Sequence, residues 1–135
     1  MSLILDTSFL IALNDSGDSK HNNALSLKAR IKNKEFGQGF ISDYIFDEFV
    51  TFLRAKSVSS DKIKLIGDAL LEDKAIELLK VDKEMFLISW DLFKKTSKLS
   101  FTDCSTITLS KEFGISHIAS FDSDFDKVIE IKRLE

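Results

Sequence analysis

Short apolar runs alternate along this chain with longer stretches in which apolar residues recur every three or four positions, the spacings typical of buried strands and amphipathic helices. Strands are predicted at residues 3–5, 37–42, 76–81, 115–121 and, as a short last strand, 128–131. Helices are predicted at residues 9–13, 20–33, 43–54, 59–73, 82–98 and 103–114. This alternation predicts an α/β fold, a three-layer α/β/α sandwich around a mostly parallel sheet of four or five strands.

Acidic residues follow the first and fourth predicted strands. Asp6 ends the first strand, and Asp122 and Asp124 come directly after the fourth. Right-handed crossovers place the carboxyl ends of parallel strands at one edge of the sheet, where ligands bind in open α/β folds. Asp6 and Asp122 are therefore predicted to meet at that edge. The alternative for Asp6 is a simple helix cap.

Two further carboxylates lie on helices that open from neighbouring loops. Glu48 is one turn from Tyr44 and next to Phe49, near an apolar margin, where a charge needs a partner or a metal unless it reaches water. Ser100 and Asp103 have the spacing of a capping box, although Thr102 is an alternative cap. In either arrangement Asp103 stands at the start of a helix, and it could project toward the same edge as Glu48.

Together these positions form a predicted acidic cluster of Asp6, Glu48, Asp103 and Asp122, with Asp124 beside it. Several carboxylates this close together repel and need a cation to stay ionised. Oxygen ligands without histidine or cysteine suit Mg²⁺ or Mn²⁺. Such a centre serves phosphodiester hydrolysis well, because the metal lowers the pKa of a bound water and neutralises the leaving oxygen.

Composition narrows the class of protein further. A chain of 135 residues with 44% hydrophobic and 30% charged residues predicts one globular domain, residues 1–135. Five glycines without a glycine-rich loop argue against a phosphate-binding loop. The single cysteine, Cys104, excludes an internal disulfide and fits a cytoplasmic location. No signal peptide and no membrane-spanning stretch is predicted.

The order and spacing of these motifs resemble the PIN domains, and within them the VapC-type toxin ribonucleases. The resemblance covers essentially the whole chain and rests on 6–8 (Asp-Thr-Ser), Glu48, 101–103 (Phe-Thr-Asp) and 120–125. It implies that Asp6, Glu48, Asp103 and Asp122 form the catalytic, metal-binding acidic quartet. It also implies Asp124 as an additional acidic position, and Thr7 or Ser8 with Ser120 as hydroxyls that orient a carboxylate or water.

The resemblance further implies a Mg²⁺- or Mn²⁺-dependent endoribonuclease that is usually a homodimer, acts on RNA and is held inactive by a cognate antitoxin. Five basic residues are candidate phosphate contacts, each explained equally well as surface charge: Arg54, Lys56, Lys94, Lys95 and Lys98.

Four alternatives stay open at this point. They are an RNA-processing PIN nuclease outside a toxin–antitoxin pair, a degenerate PIN domain that binds RNA or protein, a phosphoryl-acceptor module built on Asp6, and a structural protein whose acids are caps. Ser8 stands where a dehalogenase-like phosphatase has its second aspartate. A purely structural role explains Glu48 poorly.

Overall fold

A computed structural model describes all of residues 1–135 and contains five parallel strands and six α-helices. The strands are β1 (Ser2–Leu5), β2 (Gln38–Ser42), β3 (Ile76–Leu79), β4 (His117–Ala119) and β5 (Lys132–Leu134). The helices are α1 (Thr7–Asn14), α2 (His21–Lys32), α3 (Asp43–Ala55), α4 (Ser60–Glu72), α5 (Lys83–Lys95) and α6 (Phe101–Glu112), and a 3₁₀ helix spans Ser123–Lys127. The predicted α/β fold is confirmed.

The strand order β3-β2-β1-β4-β5 makes β1 the central strand and explains the three layers. The chain moves outward from β1 to β3, with α1 to α4 in its crossovers, and then returns to β4 on the other side of β1 through α5 and α6. Because right-handed crossovers in opposite directions lie on opposite faces, the two groups of helices cover the two faces of the sheet.

The crossovers run in opposite directions on the two sides of the β1–β4 pair, and a crevice opens there at the carboxyl ends of the strands. Open α/β sheets bind ligands in such a crevice. Leu5 is paired with Ala119, and the Asp6 amide donates to the Ala119 carbonyl at 3.0 Å. The residues that follow these two strands are therefore neighbours in space. Below them the apolar side chains of Ile4 and Ile118 are fully buried in the core.

The predicted last strand at 128–131 is wrong, because that segment is a turn and β5 begins at Lys132. Two successive backbone bonds, from the Val128 amide to the Phe125 carbonyl and from the Ile131 amide to the Val128 carbonyl, fold it back. The apolar side chain of Ile131 is buried all the same, which is why its sequence pattern resembles a strand.

Helix α5 packs on α6 through a buried serine and through aromatic contacts, with the rings of Phe86 and Phe93 at 5.1 and 6.1 Å from that of Phe101 between centroids. Its one buried residue is Ser89, whose hydroxyl donates to Thr108 Oγ1 at 3.1 Å. The apolar residues Phe86, Ile88 and Trp90 of this helix are 42–47% exposed. Apolar residues occur around most of this helix, so periodicity does not identify its buried side. No helix in the chain has the length and apolar character needed to cross a membrane.

Candidate metal centre

Asp6 lies at the centre of the crevice and is only 4% exposed. Its Oδ2 accepts hydrogen bonds from Ser8 Oγ at 2.8 Å and from Ser120 Oγ at 2.7 Å. The carboxylate makes no capping hydrogen bond to α1, although Asp6 occupies the cap position. The interpretation of Asp6 as a simple helix cap is therefore wrong.

Two serine hydroxyls join the loop after β4 to Asp6. Ser120 Oγ also accepts from the Asp122 amide at 3.0 Å, and Ser8 Oγ accepts from the Phe121 amide at 3.0 Å. Ser8 and Ser120 thus hold one carboxylate and fix the backbone that leads to another. Thr7, by contrast, does not bond to Asp6: its buried Oγ1 has no hydrogen-bond partner.

Asp103 is held by the predicted capping box at the start of α6. The Ser100 amide donates to Asp103 Oδ2 at 2.9 Å, and the Asp103 amide donates to Ser100 Oγ at 3.0 Å. Ser100 is the cap, and the alternative cap Thr102 lies inside the helix. The pKa of Asp103 is raised to about 6, mainly by burial and further by the charges of Asp6 and Asp122, against the opposing effect of its hydrogen bonds with Ser100.

Glu48 belongs to the same electrostatic cluster although it is exposed. Burial raises the pKa of Asp6 above its usual range, the hydroxyls of Ser120 and Ser8 oppose this effect, and the charge of Glu48 adds to it. Glu48 reaches water, which is the alternative that its sequence position left open. The buried side of α3 carries Ile45, Phe49 and Leu53, and Glu48 lies about 100° from Phe49 around the helix.

An aromatic contact brings the starts of α3 and α6 together. The rings of Tyr44 and Phe101 lie 6.1 Å apart between centroids. Tyr44 is one turn before Glu48, and Phe101 is two residues before Asp103. This packing explains how acids from two separate helices come to flank Asp6.

Asp122 and Asp124 differ in their relation to the cluster. Asp122 caps the 3₁₀ helix, its Oδ1 accepting from the Asp124 amide at 2.9 Å, and its charge contributes to the raised pKa of Asp103. The charge of Glu48 adds to the raised pKa of Asp6, and the charges of Asp6 and Asp122 add to that of Asp103. These charge effects group Asp6, Glu48, Asp103 and Asp122, whereas Asp124 is joined to the group through the hydrogen bond from its amide to Asp122.

The four carboxylates do not form a preassembled coordination sphere, since no three His, Cys, Asp or Glu side chains are arranged to hold a metal ion. Local hydrogen bonds occupy the carboxylates of Asp6, Asp103 and Asp122. The donor chemistry nevertheless fits a hard divalent cation, because every candidate ligand is an oxygen and neighbouring carboxylates add to the raised pKa of Asp6 and of Asp103.

The predicted phosphate contacts lie at or just beyond the C-terminal ends of α3 and α5, and all are exposed: Arg54, Lys56, Lys94, Lys95 and Lys98. Exposure is expected both for surface charge and for RNA contacts. Lys94 pairs with Asp91 at 3.0 Å and lies 5.9 Å from the ring centroid of Trp90. Lys56 lies 5.6 Å from the ring centroid of Phe52.

Sequence analysis does not identify Arg133, whose guanidinium reaches the Ser120 carbonyl from β5. No local motif marks this residue. Only the register that pairs Arg133 with Ile118 reveals its proximity to the cluster.

Ser120→Ala is expected to lower the affinity for Mn²⁺ about 10-fold, in the range found when a group that orients a metal ligand is removed. The change takes one hydroxyl from Asp6 and leaves the Asp122 amide without its acceptor. Calorimetric titration with Mn²⁺ measures the effect. Ser116→Ala is the matched control, because the Ser116 hydroxyl bonds to Ser2 and His117 at the other end of β4. Equal affinities in the two variants would contradict the orienting role of Ser120.

Comparison with known proteins gives consistent matches over nearly the whole chain. The sequence profile of the family described as PIN domain matches residues 3–131. A VapC ribonuclease of Archaeoglobus fulgidus is 23% identical over 128 residues, which cover 93% of this chain and 80% of that protein.

Three solved structures share the fold. VapC20 of Mycobacterium tuberculosis, a sarcin–ricin loop cleaving toxin, has a TM-score of 0.83 at 20% identity, covering 96% of this chain and 97% of its own. VapBC2 of Rickettsia felis, bound to a DNA fragment from its promoter, has a TM-score of 0.68 at 17% identity, with 99% and 98% covered. FitAcB of Neisseria gonorrhoeae has a TM-score of 0.67 at 11% identity, with 98% and 96% covered.

Proposed function

The chain belongs to the PIN-domain family, and from this premise we propose that it is a Mg²⁺- or Mn²⁺-dependent endoribonuclease, the toxin of a type II toxin–antitoxin system. One observation carries the proposal: in the crevice between β1 and β4, the charge of Glu48 from α3 adds to the raised pKa of Asp6, and the charges of Asp6 and Asp122 add to the raised pKa of Asp103. Such mutual repulsion is costly unless a cation neutralises it.

In this proposal Asp6, Asp103 and Asp122 would hold the metal, and Glu48 and Asp124 would act at its border. A bound divalent ion supplies a water of lowered pKa as the nucleophile for in-line displacement at phosphorus. Other residues of the chain hold these carboxylates in position. Ser8 and Ser120 orient the Asp6 carboxylate, and the same two hydroxyls fix the amides of Phe121 and Asp122.

The test is cleavage of end-labelled structured RNA by the whole protein in Mg²⁺, in Mn²⁺ and in EDTA. We expect discrete internal cuts that depend on metal and stop on chelation. If the wild type cleaves no RNA, calorimetry with Mn²⁺ decides between two outcomes. Binding without cleavage indicates a more selective substrate, and absence of binding supports the degenerate PIN domain that only binds RNA or protein.

Two observations favour a toxin over an RNA-processing nuclease outside a toxin–antitoxin pair. They are the VapC ribonuclease relative and an apolar groove on the face of the sheet that α1 to α4 cover. The groove has a volume of about 320 Å³ and is lined largely by aliphatic side chains of α1, α2 and α4, among them Leu13, Ile31, Ile66 and Leu70. Lys28 and Lys32 also line it. An amphipathic helix with acidic flanks, presented by the cognate antitoxin, fits this combination.

Leu70→Glu is expected to weaken inhibition by the proposed cognate antitoxin protein at least about 10-fold, because a charge in the groove must be desolvated on binding. The measurement is RNA cleavage against increasing concentrations of that protein. Leu65→Glu is the matched control, since Leu65 lies on the same helix, outside the groove, and is 73% exposed. Equal inhibition of both variants would place the antitoxin elsewhere.

Assembly as a homodimer is also part of the proposal. The apolar side chains of α5 that remain exposed, Phe86, Leu87, Ile88 and Trp90, support it. A helix that is apolar around most of its circumference is usually covered by protein on more than one side.

A further inference from the structure

We propose that Arg133 is a positioning residue of the acidic centre: its guanidinium bridges the two ends of the segment 120–126 and thereby holds Ser120 and Asp122 in place beside Asp6. This inference rests on the proposed function. It concerns a residue that lies outside the acidic cluster and outside every motif that identifies it.

The geometry of Arg133 is that of a bridge between two parts of one loop. Its Nε and Nη2 donate to the two carboxylate oxygens of Asp126 at 2.6 and 2.9 Å. Its Nη1 donates to the Ser120 carbonyl at 3.2 Å and to the Glu135 carboxylate at 2.6 Å. Asp122 lies in sequence between the two anchoring points, so the guanidinium closes the loop that carries it.

The Arg133 end of the bridge is fixed because the backbone of Arg133 belongs to the sheet. Arg133 pairs with Ile118 in β4, and the Ser120 amide donates to the Leu134 carbonyl at 3.1 Å. The side chain of Arg133 is only 12% exposed. Asp126 is about half exposed, but a bidentate pair with one partner shielded in this way is more directional than an ion pair with both partners exposed.

Ser120 connects this bridge to the candidate ligands. The carbonyl of Ser120 accepts from Arg133, whereas its hydroxyl donates to Asp6 and accepts from the Asp122 amide. Movement of Ser120 therefore changes the placement of both carboxylates at once. Only an arginine meets the requirement, because a lysine ammonium lacks the planar fork that spans a carboxylate and a carbonyl.

The experiment compares Arg133→Met and Arg133→Lys with wild type in calorimetric titration with Mn²⁺ and in hydrogen exchange. We expect both variants to bind Mn²⁺ about 10-fold more weakly, as when a group behind a metal ligand is removed. We also expect faster amide exchange at residues 120–127 with unchanged exchange in β1 and β2. In cleavage assays kcat should fall with little change in KM, because the RNA contacts are intact.

Arg30→Met is the matched control, since Arg30 makes the same two-bonded pair with Glu35 on the surface, at 2.9 and 2.6 Å. It should leave Mn²⁺ affinity and exchange at 120–127 unchanged. If Arg133→Met does not fold, Asp126→Asn weakens the same bridge from its exposed side and should shift both readouts in the same direction.

Wild-type Mn²⁺ affinity and unchanged exchange at 120–127 in folded Arg133 variants would overturn the inference. The proposed function fails separately. A wild type that binds no Mn²⁺ contradicts the metal-dependent ribonuclease, while amide exchange at residues 120–127 in the Arg133 variants still tests the bridge.

Discussion

Asp6→Asn lowers metal-dependent RNA cleavage at least about a thousandfold, the expected scale when a ligand that holds the catalytic metal is lost. Asp6 is the most buried of the carboxylates and the one that both serine hydroxyls orient. Asparagine keeps the size of the side chain and one acceptor oxygen but loses the charge. Single-turnover cleavage of end-labelled RNA in saturating Mn²⁺ measures the change. We expect the same loss for Asp103→Asn.

The control for these variants is Asp61→Asn. Asp61 lies in the first turn of α4 as Asp103 lies in the first turn of α6, but it is exposed and outside the cluster. Wild-type cleavage is expected for this variant. Cleavage that survives in Asp6→Asn or Asp103→Asn would point to a contaminating nuclease or to a different mechanism, and the acidic-quartet proposal would be abandoned.

The metal-free protein is expected to gain stability from Asp103→Asn above pH 6. The raised pKa means that the folded state binds a proton more tightly than the unfolded chain, so ionisation of Asp103 destabilises the fold. The cost is absent below the unfolded pKa near 4, grows as pH rises to about 6, and is constant above it. After allowance for partial exposure, the variant should be about 1–2 kcal/mol more stable at pH 7.5.

Thermal unfolding in EDTA at pH 4 and pH 7.5 measures this effect, with about 2–4 °C expected per kcal/mol for a chain of this size. Asparagine retains an oxygen for the Ser100 amide, so the capping box survives the substitution. Saturating Mn²⁺ should reverse the order, because the ion stabilises the wild type by its binding free energy. A variant less stable than wild type at pH 7.5 in EDTA would show that Asp103 is not held against electrostatic repulsion.

The features that sequence analysis predicts correctly are those that local chemistry decides. The run 3–5 is apolar throughout and forms the buried central strand, and the spacing of Ser100 and Asp103 forms the capping box. The placement of Asp6 and Asp122 at one edge follows from a general rule about crossovers rather than from any contact in the sequence.

The features that sequence analysis misses depend on contacts between distant segments. Arg133 reaches the Ser120 carbonyl only because β5 pairs with β4. The exposure of Glu48 depends on which neighbours α3 acquires. The true position of β5 was hidden because Ile131 is buried in a turn, where burial and strand pairing are separate properties.

The central position of β1 has a consequence for the order in which the protein acquires its activity. Asp6 follows β1 and is synthesised early. Its partner Ser120 belongs to the segment after β4, which is synthesised more than a hundred positions later. The ribosome makes the chain from the N-terminus, and a domain folds as a unit once its segments are present. A ribosome-bound chain therefore has Asp6 without Ser120 or Asp122 for most of its translation, and the acidic cluster is complete only when the last strands have emerged.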